Sequence, residues 1–319
     1  MVRVERAFDY SVVVPVYRNE ATLRPLVARL TELQAKLPGE LELVFVIDGS
    51  PDASVLVLRE LLATATFGSQ LISLSRNFGS FGAIRMGLLA ARGSHIAVMA
   101  ADMQEPVELV EQFFELLDSG DYDVAVGTRS GRNDPVLTSL ASRLFWRTYR
   151  RFIQPDVPPG GVDIFACNAQ VRDSLVQLRE SHSSLIGLLF WLGFRRAQVP
   201  YVRAPRTEGR SGWSFRRKVK YLLDSAFSFT DLPITLLIGL GAVALAVSVI
   251  ISVGVLVAWA VGQIDVPGYT PLMLTLLMFS SVLVLGLGLV GSYVWRTYEN
   301  SKGRPDFVPM LREEFDGDG

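Results

Sequence analysis

The chain has 319 residues, a formal net charge of −1 and a mean hydropathy of +0.32, and half of its residues are hydrophobic. That is too apolar for an ordinary water-soluble domain and too charged for a purely membrane-embedded one, so a soluble domain joined to a few membrane spans is expected. The near-neutral charge gives no support for nucleic-acid binding, and the single cysteine, Cys167, excludes an intrachain disulfide framework.

Residues 1–10 are charged and lack an apolar core, so they do not read as a signal peptide. Ser11–Pro15 is a β-branched run and predicts a buried strand. Asn19 is placed to cap a helix reaching about Lys36, which Pro38-Gly39 ends. Glu42–Ile47 predicts a second strand running into Asp48-Gly-Ser-Pro-Asp52. There Gly49 permits a tight turn, Ser50 can cap and Pro51 suits a first helical position. A helix over Ala53–Ala65, a strand over Gln70–Ser75, the segment Arg76-Asn-Phe-Gly79 and a helix from about Ala83, closed by Gly93, follow. His95–Met99 predicts a fourth strand that stops before Asp102. Pro106 opens a helix over Val107–Leu117, and Asp123–Gly127 predicts a fifth strand. This alternation implies an α/β domain with a largely parallel sheet and helices on both faces. Beyond Arg129 the pattern breaks. Leu137–Phe152 reads as an amphipathic helix carrying Arg143, Arg147, Arg150 and Arg151. Residues 155–161 read as a loop, Asp163–Ala166 as a short strand, Ala169–Leu178 as a helix and Arg195–Val202 as a strand.

The remainder is different in kind. Over Phe215–Phe229, Val219, Leu222, Leu223, Ala226 and Phe227 recur at helical spacing beside Arg216, Arg217, Lys218 and Lys220, the pattern of an interfacial helix. Thr235–Val261 and Leu272–Trp295 are uncharged and each long enough to span a bilayer at roughly 20 residues. The link between them carries Asp265 and no Lys or Arg, whereas both outer flanks are basic, so both termini are expected on the cytoplasmic side. Gly286-Leu-Gly-Leu-Val-Gly291 matches a dinucleotide-binding pattern but lacks the strand before it and the acid after it, and reads as helix packing. Small residues such as Gly254 and Ala258 leave room for a homo-oligomer. The expected division is 1–214 as a catalytic domain, 215–232 as the interfacial helix, 233–298 as a membrane hairpin and 299–319 as a cytoplasmic tail.

In open α/β sheets, ligands bind beyond the carboxyl ends of the strands, where the candidate chemistry also falls. Asp102 and Gln104 offer two side-chain oxygens of the kind that hold Mg²⁺ alongside substrate phosphates, or serve as an ordinary helix cap. Asp48 can accept hydrogen bonds from a ribose or a base, or simply close a turn. Arg129, with Arg132 near it, suits a phosphate; a surface salt bridge is the alternative. Arg203, Arg206, Arg210 and Ser211 form a basic loop that could close over a diphosphate or meet anionic lipid. Asp163 is either a further functional acid or a buried, paired aspartate. His95 and His182 show no ligand spacing, and Cys167 reads as a small buried hydrophobe.

Six motifs in order, Val14-Pro-Val-Tyr-Arg-Asn-Glu20, Asp48-Gly-Ser-Pro-Asp52, Ser75-Arg-Asn-Phe-Gly79, Ala101-Asp-Met-Gln-Glu-Pro106, Gly127-Thr-Arg129 and Arg210-Ser-Gly-Trp-Ser214, precede the two apolar spans. Together they resemble the polyprenyl-phosphate glycosyltransferases of family 2. The resemblance implies a GT-A fold and inverting transfer of a sugar from a nucleotide diphosphate sugar, with UDP-glucose the default, to undecaprenyl phosphate. It implies Mg²⁺ or Mn²⁺ at Asp102 and Gln104, a nucleotide pocket at Pro15, Tyr17, Glu20, Asp48 and Ser50, and a donor-side loop at Arg206, Arg210 and Ser211. It also places the acceptor phosphate at Arg129, Arg132 and Ser142, with Asp163 as an orienting acid, in an integral protein of the bacterial inner membrane. The sequence departs from the family pattern at Ala100, Ile47, Thr138 and Gly212. Ala100, where many relatives carry an acid, motivates the rival reading of a catalytically weak scaffold or flipping partner. A processive polysaccharide synthase is the other rival, and its Q-x-x-R-W motif is not found.

Overall fold

The computed structural model describes residues 8–129, 154–158, 161–178, 184–204 and 268–317 continuously, with single positions between them. The chain divides into two units, residues 1–219 with 305–319, and residues 220–304.

The first unit is built on an eight-stranded sheet in the order β7-β5-β6-β4-β1-β2-β3-β8. Its strands are β1 (Phe8–Val16), β2 (Leu41–Ile47), β3 (Gly68–Leu74), β4 (Gly93–Val98), β5 (Val124–Arg129), β6 (Phe165–Asn168), β7 (Arg196–Tyr201) and β8 (Pro309–Phe315). Every residue of β2 and β3 is buried, as expected for parallel strands covered on both faces. The helices are α1 (Glu20–Gln34), α2 (Ser54–Leu62), α3 (Ser80–Ala90), α4 (Glu108–Asp118), α5 (Ala169–Gln177) and α6 (Leu185–Trp191). α4 buries Leu109, Val110, Phe113, Phe114 and Leu117, one helical stripe. Each such side chain is worth about 1.5–3 kcal/mol when fully withdrawn from water. α3 lies close on the sheet because Gly87 has no side chain: a Cβ there would sit 2.2 Å from Val13 Cγ1.

The predicted α/β sheet and its first five strands are present, with three differences. First, β4 and β5 are not neighbours. β6 runs antiparallel between them, pairing His95–Val98 on one side and Val124–Val126 on the other. It begins two residues later than the sequence suggests. Second, the expected caps are made otherwise. Asn19 makes no side-chain cap on α1, and its Oδ1 instead accepts the Tyr17 N–H at 3.2 Å. Ser50 and Pro51 lie before α2, whose N-cap residue is Ala53. Third, the segment expected to be a tail holds β8, which pairs antiparallel with β3 from Ser69↔Phe315 to Leu74↔Pro309. Arg59 of α2 holds Glu313 of β8 through two hydrogen bonds of 2.9 and 2.6 Å.

The second unit contains α7 (Tyr269–Ser301), 33 residues without a break and about 50 Å long at 1.5 Å per residue. Counted on the described residues, no helix is long and apolar enough to cross a membrane; in sequence, however, α7 has no charged residue from Tyr269 to Trp295. Gly286, Gly288 and Gly291 all lie inside this helix, which removes the strand–turn–helix setting of a dinucleotide site. All of the amphipathic segment 215–229 but Asp224, and most of Leu137–Phe152 and 235–261, lie outside the described residues.

Candidate functional site

The carboxyl ends of β3, β2, β1 and β4 are joined by a continuous chain of hydrogen bonds. After β2, Asp48 is buried, and its two oxygens accept the Phe78 and Gly79 N–H groups at 2.7 and 2.9 Å. Burial raises its pKa, and those two bonds and Arg76 oppose the rise. Gly49 has φ +58°, and a Cβ there would lie 2.4 Å from the Arg76 carbonyl carbon, so only glycine lets the two turns stack. Ser50 Oγ accepts the Arg18 N–H at 2.8 Å and donates to Asp52 Oδ1 at 2.6 Å.

Asp52 and Glu20 then cap each other's helices. Asp52 Oδ2 accepts the Glu20 N–H at 3.2 Å, and Glu20 Oε2 accepts the Ala53 N–H at 3.0 Å. Burial works against the Asp52 charge, yet hydrogen bonds led by Ser50 hold its pKa below the usual carboxylate range. Finally Thr22 Oγ1 donates to the Ala101 carbonyl at 2.6 Å, one residue before Asp102. The expected nucleotide residues Asp48, Ser50 and Glu20 are therefore brought together, but as a scaffold whose polar atoms already have partners. Pro15 is partly exposed at the end of β1, and Tyr17 is 41% exposed just beyond it, with the Arg18 guanidinium 5.4 Å from its ring centre.

The second half of the site gathers around Asp102. Asp102 Oδ1 accepts the Gln104 N–H at 3.3 Å, and Met103 between them is left-handed at φ +55°. The Gln104 amide donates to the Ala204 carbonyl at 3.2 Å, and the Ala204 N–H donates back to the Gln104 carbonyl at 2.9 Å. Glu105 is 2% exposed, and Arg203 Nε stands 3.3 Å from its carboxylate without hydrogen-bond geometry. Burial, reinforced by Asp102 and Asp163 and opposed by Arg203 and Arg129, pushes the Glu105 pKa up to about 7. Arg129, at the end of β5, donates to Asp163 Oδ2, which also accepts the Tyr201 hydroxyl at 3.1 Å. Burial disfavours the Arg129 charge, but Asp163 more than offsets it and raises the pKa. Burial and the neighbouring acids Asp163 and Glu105 raise the Tyr201 pKa too.

Asp102, Gln104, Arg129 and Asp163 thus converge on one corner, where Asp163 is a paired aspartate. Glu105 and Tyr201 belong to it as well. Tyr201 carries no local signal in sequence. Glu105 stands out there only as the carboxylate beside Gln104; its burial and its approach to Arg203, nearly a hundred positions away, leave no local mark. Arg132, Ser142, Arg206, Arg210 and Ser211 lie outside the described residues. His95, which shows no ligand spacing in sequence, has its Nδ1 3.0 Å from Asp118 Oδ1, and Cys167 is fully buried as expected, its thiol pushed up to about 12 by burial.

Among the described residues no group of three acidic, histidine or cysteine side chains could hold a metal by itself. Asp102 with Gln104 nonetheless offers oxygen donors of the type a hard divalent cation takes when substrate phosphates supply the rest. The hydrogen bond to Ala204 fixes the Gln104 amide so that Nε2, not Oε1, faces the carbonyl.

Comparison with known proteins places these motifs. The sequence model for Glycosyl transferase family 2 matches residues 11–178. An uncharacterized glycosyltransferase of Synechocystis is 31% identical over 303 residues, covering 94% of both chains. The bactoprenol glucosyl transferase of Shigella phage SfV is 28% identical over 299 residues, covering 93% of this chain and 97% of its own. Among solved structures, glucosyl-3-phosphoglycerate synthase from Mycobacterium tuberculosis aligns at 18% identity with a TM-score of 0.46, over 64% of this chain and 73% of its own. The family match spans just over half of the chain and the relatives nearly all of it, so the chain belongs to glycosyl transferase family 2 and is a glycosyltransferase.

Proposed function

We propose that the enzyme transfers one sugar, with inversion, from a nucleotide diphosphate sugar to a polyprenyl phosphate at the cytoplasmic face of a bacterial inner membrane. The donor taken as default is UDP-glucose and the acceptor undecaprenyl phosphate. The observation that carries this reading is the corner at the ends of β4, β5 and β7. There Arg129, a phosphate-type ligand, is fixed by Asp163 within an acidic cluster that includes Asp102 and Glu105. Relatives named as bactoprenol glucosyl transferases, similar over nearly the whole chain, support the same class of acceptor.

The chain's own residues divide the work. Asp102, with Gln104 oriented by Ala204, would hold Mg²⁺ or Mn²⁺ against the donor diphosphate; when bound, that ion supplies Lewis-acid stabilisation of the departing nucleotide. The lipid phosphate is already an anion, so attack needs no strong general base. Asp163 and Tyr201 orient Arg129, which keeps the acceptor phosphate in line, together with Arg132 and Ser142. Fixed positive charge where negative charge must be held is the main catalytic contribution. The basic loop carrying Arg206, Arg210 and Ser211 completes the donor side. Pro15 and Tyr17 line the nucleotide pocket, whose floor is the Glu20, Asp48 and Ser50 scaffold.

The two apolar stretches, the second within α7, would anchor the enzyme as a hairpin. At the end of α7, Lys302 Nζ stands 5.2 Å from the Trp295 ring centre and 4.3 Å from that of Tyr298. Aromatic and basic side chains together suit the headgroup layer. The test is transfer from labelled nucleotide sugars to undecaprenyl phosphate by purified full-length enzyme. Asp102→Ala should abolish transfer, and undiminished transfer by that variant overturns the metal assignment.

A further inference from the structure

Beyond the sheet, the short segment before β8 reaches the turn that holds Asp48. The Ser75 N–H donates to the Val308 carbonyl at 2.9 Å, which extends the β3–β8 pairing past the end of β3 into the Arg76–Gly79 turn. Asp306 Oδ2 pairs with Arg85 Nη1 of α3 at 2.9 Å, and the Arg85 side chain is only 10% exposed. The Asp306 carbonyl backs Gly82 in the first turn of α3, where an added Cβ would lie 3.0 Å from it. Residues 306–308 therefore touch the chain on both sides of Arg76–Gly79, at Ser75 and at Gly82–Arg85. Two N–H groups of that turn hold Asp48, and its Arg76–Asn77 backbone packs on Gly49.

We infer that the segment 306–308, and Asp306 in particular, is a positioning element for the nucleotide: it braces the Arg76–Gly79 turn so that Asp48 and the turn after β2 keep the geometry of the donor pocket. This rests on the nucleotide-sugar reading above. Asp306 touches neither donor nor acceptor. It acts through Arg85 and α3, whereas Val308 acts through Ser75. Arg85 also donates to the Leu178 carbonyl, so α3 keeps a second anchor when Asp306 is lost and only its first turn, next to Arg76–Gly79, is released. Donor affinity should then fall while acceptor handling and the chemical step persist.

The experiment uses the full-length enzyme in detergent, with UDP, GDP and dTDP as calorimetric probes, beside steady-state kinetics. Asp306→Ala is expected to weaken binding of whichever probe the wild type takes by about tenfold. The donor KM should rise in parallel, with kcat and acceptor KM within about twofold of wild type. Asp306→Glu, which can still reach Arg85, should restore most of the loss. A general loss of fold would lower kcat and the denaturation temperature together and would not be rescued, which counts against positioning. If the wild type binds a probe and Asp306→Ala binds it equally well, the brace is wrong while the donor reading stands. If the wild type binds none of the three, the donor reading fails and this inference falls with it.

Discussion

Glu42 shows how a fully buried charge is accommodated in this sheet. Its carboxylate accepts hydrogen bonds from Ser11 Oγ at 2.8 Å, Gln70 Nε2 at 2.7 Å, the Arg92 N–H at 2.8 Å and Arg92 Nε at 2.7 Å. Removing the cation leaves a buried charge without its partner, so Arg92→Ala should cost about 3 kcal/mol in equilibrium denaturation. A change under about 1 kcal/mol, the usual value of a surface pair, would contradict this account. Asp123 makes a prediction about pH. Hydrogen bonds from Arg195 are the main reason its pKa is lowered, with Asn168 contributing. A carboxylate depressed by folding contributes stability above its unfolded pKa and loses it as pH falls through the folded one. Asp123→Asn should therefore lower the denaturation temperature at neutral pH, and the gap should close on acidification below the usual carboxylate range. A gap that is constant from pH 7 to pH 3 would show that the charge is not responsible. Asp102, Gln104 and Arg129 were legible as candidates because each lies at or just past the carboxyl end of a strand, whereas Asp163 precedes β6 and stood out only as a further acid. Glu105 and Tyr201 were not, because burial and partnership created by β7 leave no mark on neighbouring sequence.

At the scale of elements, the loops at the strand ends act as one layer, since each is hydrogen-bonded to the next. Gly49 is where that layer is tightest. Gly49→Ala would require both a left-handed alanine and a shift of the Arg76–Asn77 backbone. We expect it to raise the donor KM by about tenfold while leaving the acceptor KM unchanged; an unchanged donor KM would contradict the layer's role. The helices and parallel strands were readable from hydrophobic runs bounded by turn residues, because burial on both faces imposes that pattern locally. The caps were not. Asn19 and Ser50 have the right chemistry for capping, but Glu20 and Asp52, 32 residues apart, reach across to each other's helix and do that work. β6 and β8 were also hard to read. β6 is a four-residue strand, and β8 (Pro-Met-Leu-Arg-Glu-Glu-Phe) is charged, as exposed edge strands are, and looks like a tail until its partner is known.

At the scale of the whole molecule, a glycosyltransferase sheet is encoded on both sides of a strongly apolar stretch, with residues 305–319 belonging to the first unit. The composition pointed to a soluble domain joined to apolar segments; which strand the last residues would join could not be read, because pairing between distant segments has no local signature. The proposed metal site carries a further prediction. With Ala100 and Ala101 inert and no self-sufficient acidic group among the described residues, a metal held as proposed would draw most of its ligands from substrate phosphates and water. Calorimetry should therefore find weak binding of Mg²⁺ or Mn²⁺ to the enzyme alone and much tighter binding with a nucleotide diphosphate present; tight binding without nucleotide would contradict this. The most direct test of the central claim is mass spectrometry of the lipid fraction after the full-length enzyme is incubated with undecaprenyl phosphate and a panel of nucleotide sugars. The account predicts one new species, the polyprenyl phosphate carrying a single sugar, formed by the wild type and absent with Asp102→Ala. A lipid-free sugar polymer, or the same lipid product in undiminished yield from Asp102→Ala, would contradict it.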